Sequence, residues 1–222
     1  MRVLVTGATG ALGTAVCERL LSDGHEVHGT YVVEAEAARA QERLGEKVAL
    51  SRVDVTDEAS VRGWFAAAGA PVDALVHVAG GFVMGPIEAA TIAQFDQQVA
   101  LNLRSLFLCA REAVATMKPR GSGRIVAVGA RGAVEPGANT AIYAATKAGV
   151  LAMIRALGEE LRGTGVGAYA VLPHLIDTPA NRAAGLDPAR MVAPAEIAGA
   201  IGALLEPRLA IASGAWLPVY GR

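Results

Sequence analysis

Seven short apolar or β-branched runs recur along the chain, near residues 2–6, 26–31, 47–52, 73–78, 124–129, 167–172 and 215–219, separated by longer stretches of helical periodicity. A run of about five residues with little polar alternation has to be covered on both faces, and a helix after each strand returns the chain to begin the next strand parallel to the last. The alternation therefore specifies an α/β fold, a doubly wound parallel sheet of about seven strands with helices on both faces. The longest helices fall near 91–117 and 140–162. No polar linker, repeat or composition shift interrupts the pattern, so residues 1–222 read as a single domain. Pro218 interrupts the last run and puts it at a sheet edge or at the end of a strand.

The first run delivers the chain into Thr6-Gly7-Ala8-Thr9-Gly10-Ala11-Leu12-Gly13, with a helix beginning near Ala11. Glycines allow a tight turn and let a phosphate approach the backbone, and the helix start offers free N–H groups and a positive dipole end. A glycine loop in this position points to a dinucleotide, with Gly7, Thr9, Gly10, Ala11, Leu12 and Gly13 around its pyrophosphate. The end of the second strand, where an acid would hold the adenosine ribose, carries Thr30 and Tyr31 instead. Glu34 reads as a first-turn acid of the next helix. No carboxylate stands there to repel a 2′-phosphate and no arginine clamp for one is evident, so the cofactor reads as NADP or NAD with a lean to NADP.

Asp54-Val55 closes the third strand, where the acid either bonds an adenine amino group or caps the helix from about Asp57. Ala79-Gly80-Gly81 closes the fourth, small enough for a cofactor to lie across the sheet edge, and Phe82 after it reads either as an aromatic wall for a flat ring or as loop packing. His77, inside that apolar strand, reads as a buried structural histidine. Asn102 lies among Val99, Leu101, Leu103, Leu106 and Phe107, where an amide needs hydrogen-bond partners.

Tyr143 and Lys147 lie one helical turn apart on one face. A lysine charge beside a phenol stabilises the phenolate and lowers its pKa from about 10, making it a usable proton donor near neutral pH.

The net charge of −1 leaves no electrostatic footprint for nucleic acid or an anionic membrane. No apolar run reaches the ~18 residues of a membrane span, and the first strand starts at once, without room for a signal peptide. Cys17 and Cys109 have no metal-like spacing and read as reduced, packed thiols of a cytoplasmic protein; no metal is expected.

Taken in order, Thr6-Gly7…Gly10…Gly13, Asp54-Val55, Val78-Ala79-Gly80, Asn102, Tyr143-x-x-x-Lys147 and Pro173…Thr178 resemble the short-chain dehydrogenase/reductase family over essentially the whole chain. The resemblance implies a Rossmann-like sheet, a nicotinamide cofactor, and hydride transfer to or from a carbonyl or related carbon. It makes Tyr143 the general acid and gives Lys147 two tasks, lowering the tyrosine pKa and holding the nicotinamide ribose. It gives Asn102 a water in the proton relay, and sets Pro173, Ile176 and Thr178 beside the carboxamide end of the cofactor. Two positions depart from the family. Ala130 stands thirteen residues before the tyrosine, where a serine usually binds the substrate oxygen, and His174 replaces the glycine usual after Pro173.

A narrower likeness, to quinonoid dihydropteridine reductase, rests on Arg2-Val-Leu-Val5, Gly10-Ala-Leu-Gly13, Val78-Ala-Gly-Gly81, Gly129-Ala130 and Asp177-Thr-Pro179…Asn181-Arg182. That branch also lacks the serine and reduces a conjugated pterin ring, although it normally carries an acid at the position of Tyr31. The resulting expectation is an NAD(P)H-dependent reductase of a carbonyl or conjugated imine. The alternatives are a general carbonyl or 3-oxoacyl reductase and a non-catalytic NAD(P)-sensing protein. A small molecule is the expected substrate, with Ala130 and Phe82 beside it. The family habit of pairing through its two long helices implies a homodimer or homotetramer.

Overall fold

The computed structural model describes residues 1–221. Its strands are β1 (Arg2–Thr6), β2 (Glu26–Tyr31), β3 (Val48–Arg52), β4 (Ala74–His77), β5 (Gly123–Val128), β6 (Val166–Pro173) and β7 (Trp216–Val219). They form one sheet in the order β3-β2-β1-β4-β5-β6-β7, with every pairing parallel. Pro218 lies in the edge strand β7, where its missing N–H costs no ladder bond to a further strand.

Helices α1 (Ala11–Ser22), α2 (Glu34–Leu44), α3 (Glu58–Ala68), α4 (Ile92–Gln98), α5 (Ser105–Met117), α6 (Ala141–Glu160), α7 (Pro179–Ala183) and α8 (Pro194–Leu204) connect the strands. Alternate strand residues feed two separate cores. Leu4, Leu75, Ile125, Ala168 and Leu172 pack with Trp64, Leu106, Cys109, Val150 and Ile154 of α3, α5 and α6. Val3, Val5, Val76, Val126 and Val171 pack with Leu12, Val16, Leu20, Ile197 and Ile201 of α1 and α8. The central strands β1, β4, β5 and β6 are thus covered on both sides, as continuous apolar runs require. Burying one Leu or Ile side chain in such a layer stabilises the fold by roughly 1.5–3 kcal/mol.

Two sequence expectations change. Residues 91–117 are not one helix: a π turn at Val99–Arg104 separates α4 from α5 and holds Asn102. Helix α6, at 20 residues, is long and apolar enough on average to cross a bilayer, contrary to the expectation that no segment would be. It buries Lys147 and contributes Val150, Leu151 and Ile154 to a core shared with the sheet, which is the setting of a packed core helix.

Strand order reverses between β1 and β4, and the carboxyl ends of these two strands open the crevice where ligands bind in such sheets.

Candidate active site

The glycine loop is pressed against the end of β4. Gly7 has φ +64°, and a Cβ there would stand 3.1 Å from the backbone N and Cα of Ala79. A Cβ on Gly13 would lie 2.0 Å from the carbonyl oxygen of Gly7, so only glycine lets α1 start this close to the strand. The N-cap, Gly10, supplies no side-chain cap, which leaves first-turn N–H groups of α1 for an anion. Thr30, a sequence candidate for the ribose, turns inward: its Oγ1 accepts from Gly7 N (3.0 Å) and its carbonyl from Ala8 N (3.0 Å). Its task is to hold the loop, which leaves Tyr31 at the crevice side of β2.

Beyond β2 and β3 a cavity of about 600 Å³ is lined by Val32, Arg52, Asp54, Thr56 and Leu101. Asp54 Oδ1 accepts from the backbone N–H (2.8 Å) and hydroxyl (2.7 Å) of Thr56. The cap of α3 is Asp57, whose Oδ2 accepts from Ser60 N (2.7 Å), so Asp54 does not cap that helix and faces the cavity. Arg52 corrects the expectation that no arginine stands near the ribose end. It pairs in register with Tyr31 and lines the cavity, with only a long 4.0 Å approach to Glu34. Strand alternation carried this signal, because residues 52 and 54 share a face.

Deeper in the crevice three segments meet at Gly80. A Cβ there would lie 2.7 Å from Asn102 Oδ1 and 3.1 Å from Lys147 Nζ. Asn102 is buried and fully engaged. Its Oδ1 accepts from Gly81 N (3.0 Å), and its Nδ2 faces Gly81 O (3.1 Å), Gln98 Oε1 (3.1 Å) and Thr146 Oγ1 (3.0 Å). Thr146 in turn donates to Tyr143 O (2.9 Å), so the amide ties the small-residue loop to the turn of α6 that carries the tyrosine. Gln98 and Thr146 escaped the sequence reading, since a buried amide announces a need for partners without naming them.

Lys147 Nζ donates to Val128 O (3.0 Å) and lies 6.0 Å from the centroid of the Tyr143 ring. Burial outweighs the lysine at the phenol, whose pKa stands above its ordinary value and not below it as the spacing alone implies. Burial pushes Tyr143 up to about 12 and Lys147 down to about 8, because both charged forms lose water. Phe82 stands edge-on to the Tyr143 ring with centroids 4.8 Å apart, yet is 63% exposed, which fits a wall of the site better than loop packing. Ala130, buried just beyond β5, has no hydroxyl to offer.

Pro173 ends β6. Ile176 O accepts from Asn181 Nδ2 (2.7 Å), while Thr178 Oγ1 caps α7 by accepting from Asn181 N (3.1 Å). These residues close the crevice on the β6 side. Cys17 and Cys109 are buried free thiols, pushed by burial up to about 12.

The cradle, the cavity and the Tyr–Lys–Asn cluster lie along the carboxyl ends of one parallel sheet, a shape that fits an extended dinucleotide. Residues 1–188 match the family model described as short chain dehydrogenase. Nodulation protein G of Azospirillum brasilense is 34% identical over 98% of this chain and 96% of its own length. The 3-oxoacyl-[acyl-carrier-protein] reductase MabA of Mycobacterium tuberculosis is 34% identical over 99% of this chain and 91% of its own. Among solved structures, a variant of actinorhodin polyketide ketoreductase with NADPH superposes with a TM-score of 0.93 at 28% identity, over 99% of this chain and 95% of that one. The chain belongs to the short-chain dehydrogenase family, and it is an NAD(P)-dependent oxidoreductase.

Proposed function

We propose that the protein reduces the carbonyl carbon of a small molecule, with Tyr143 delivering the proton to its oxygen and NADPH preferred over NADH. The observation that carries this reading is the meeting of Lys147 and Asn102 at Gly80, one turn from Tyr143 and with no Cβ between them. The glycine cradle, filled by any added Cβ at Gly7 or Gly13, fits a pyrophosphate, and Asp54 and Val55 suit the adenine end. Arg52 beside Tyr31 gives the 2′-phosphate a cation in place of a repelling acid. Ala79, Gly80, Gly81, Pro173, Ile176 and Thr178 would flank the nicotinamide half. When bound, the nicotinamide supplies or takes up a hydride.

The chain's own part is proton handling. At neutral pH Tyr143 is a phenol and Lys147 an ammonium, the protonation state that a reduction starts from. As the phenol releases its proton, the Lys147 charge one turn away favours the phenolate. Asn102 holds the Gly81 backbone and the Tyr143 turn in place and orders the inner end of the relay.

The likeness to 3-oxoacyl reductases favours a ketone as substrate. A second reading, a conjugated C=N acceptor such as a quinonoid dihydropterin, is favoured by Ala130. An acceptor that spreads charge over several nitrogens depends less on one focused oxyanion donor, and exposed Phe82 offers a stacking face. The test is a substrate panel of 3-oxoacyl thioesters, simple ketones and quinonoid dihydropterin with either cofactor. Efficient turnover of a ketone supports the first reading, turnover confined to the pterin selects the second, and turnover of none rejects both. Pairing of two copies over the helices at 92–117 and 141–160 suits the exposed Phe95 and Phe107; sedimentation would show it.

A further inference from the structure

We propose that His77 is a positioning residue that fixes the glycine loop and the turn bearing Asn102 to one another across the end of the sheet. Its imidazole is 2% exposed, with Nδ1 3.0 Å from Thr6 Oγ1 and Nε2 3.1 Å from Ser105 Oγ. The neighbours assign its tautomer. Thr6 Oγ1 accepts from the N–H groups of Val78 and Ala79, each at 3.1 Å, so its one proton goes to Nδ1. Ser105 Oγ donates to Leu101 O at 2.6 Å and therefore receives the proton on Nε2. The ring is an acceptor at one end and a donor at the other, a pairing that requires the neutral form. Burial, with the charge on Lys147 second, keeps it neutral by holding the pKa near 3.

Each end of this relay stops beside machinery of the site. Thr6 immediately precedes Gly7, whose backbone packs on Ala79, and Val78 and Ala79 lead to Gly80. At the other end Leu101 precedes Asn102 within the π turn, and Ser105 is the first residue of the helix that resumes after it. An apolar side chain would fill the same space, but it would strip two buried hydroxyls of a partner and uncouple the segments they secure. The proposal rests on the reading that Asn102 and Lys147 serve proton transfer.

Amide side chains separate the two ends. Asparagine sets an amide oxygen where Nδ1 was, and glutamine sets an amide nitrogen where Nε2 was. His77→Asn should therefore keep the Thr6 bond and lose the Ser105 bond, and His77→Gln the reverse. Fluorescence titration of NADPH and NADH reports the loop, and kcat at saturating cofactor reports the turn. We expect His77→Asn to hold cofactor Kd within about twofold while kcat falls about tenfold, and His77→Gln to weaken cofactor binding about tenfold while kcat stays within about threefold. His77→Leu should lose both, Ser105→Ala should follow His77→Asn, and Thr6→Val should follow His77→Gln. Should a His77 variant fail to fold, the Ser105 and Thr6 variants supply the same two-way comparison. Parallel losses of Kd and kcat in all variants, in proportion to lost Tm, would overturn the proposal and leave His77 a packing residue. Unchanged kcat in Asn102→Ala would instead remove the proton-transfer reading, and the cofactor arm would still decide the role of His77.

Discussion

The ammonium of Lys147 stands 6.0 Å from the centre of the Tyr143 ring, and burial drives the two groups apart in pKa, the lysine down to about 8 and the tyrosine up to about 12. Between pH 8 and 10.5 the folded chain has released the Lys147 proton while an unfolded lysine keeps it, so the unfolded state binds more protons and stability rises with pH. Above pH 10 an unfolded tyrosine ionises while Tyr143 holds its proton to about 12, and that contribution falls. Relative to Lys147→Met, the unmodified chain should gain on the order of 2–3 kcal/mol between pH 7.5 and 10. Urea midpoints of both proteins across that range check it; a flat difference would contradict the burial argument.

Tyr143→Phe removes the proton donor and leaves the cofactor cradle untouched. Turnover should fall about 10²–10⁴-fold, with Kd for NADPH unchanged within about twofold, measured by fluorescence titration. Lys147→Ala should damage both quantities. Near-normal kcat in Tyr143→Phe would remove the tyrosine from the mechanism.

Arg52→Ala should weaken NADPH binding about tenfold, roughly 1.4 kcal/mol, and leave NADH binding nearly unchanged. Only NADPH brings a 2′-phosphate to the cavity. Equal losses for the two cofactors would mean that Arg52 shapes the cavity without reading the phosphate.

Ala130→Ser places a hydroxyl at a buried position just past β5. A focused oxyanion donor contributes up to about 10²–10³ in rate where charge gathers on one oxygen, so kcat on simple ketones should rise while turnover of a dihydropterin changes little. Equal effects on the two substrates would show that residue 130 does not select between them.

The fold was legible because short apolar or β-branched runs alternate with longer helical stretches, and all seven strands fall within one or two residues of their expected spans. The placement of Tyr143, Lys147, Asn102 and the glycines was legible from spacing, since a helix turn and a strand end fix where such residues lie, whereas the roles proposed for them came from the family resemblance. What stayed hidden depended on contacts between distant segments. Gln98 and Thr146 serve Asn102 from a neighbouring turn and a separate helix, and Arg52 enters the cavity only through its register with Tyr31. The protonation states of Tyr143 and Lys147 depended on burial, which residue spacing does not measure.

The π turn at Val99–Arg104 sets a phase along the segment from Thr91 to Met117. Each residue of an α-helix advances about 100° around the axis, so removing one residue from the turn would yield a smoother helix with a different facing. Either Asn102 or the Leu106, Cys109 and Ala113 face packed against the sheet would then point the wrong way. Local regularity and the placement of that amide are mutually exclusive here, and a chain shortened by one residue in this turn should gain helical continuity while losing the alignment of Asn102 with Gly81.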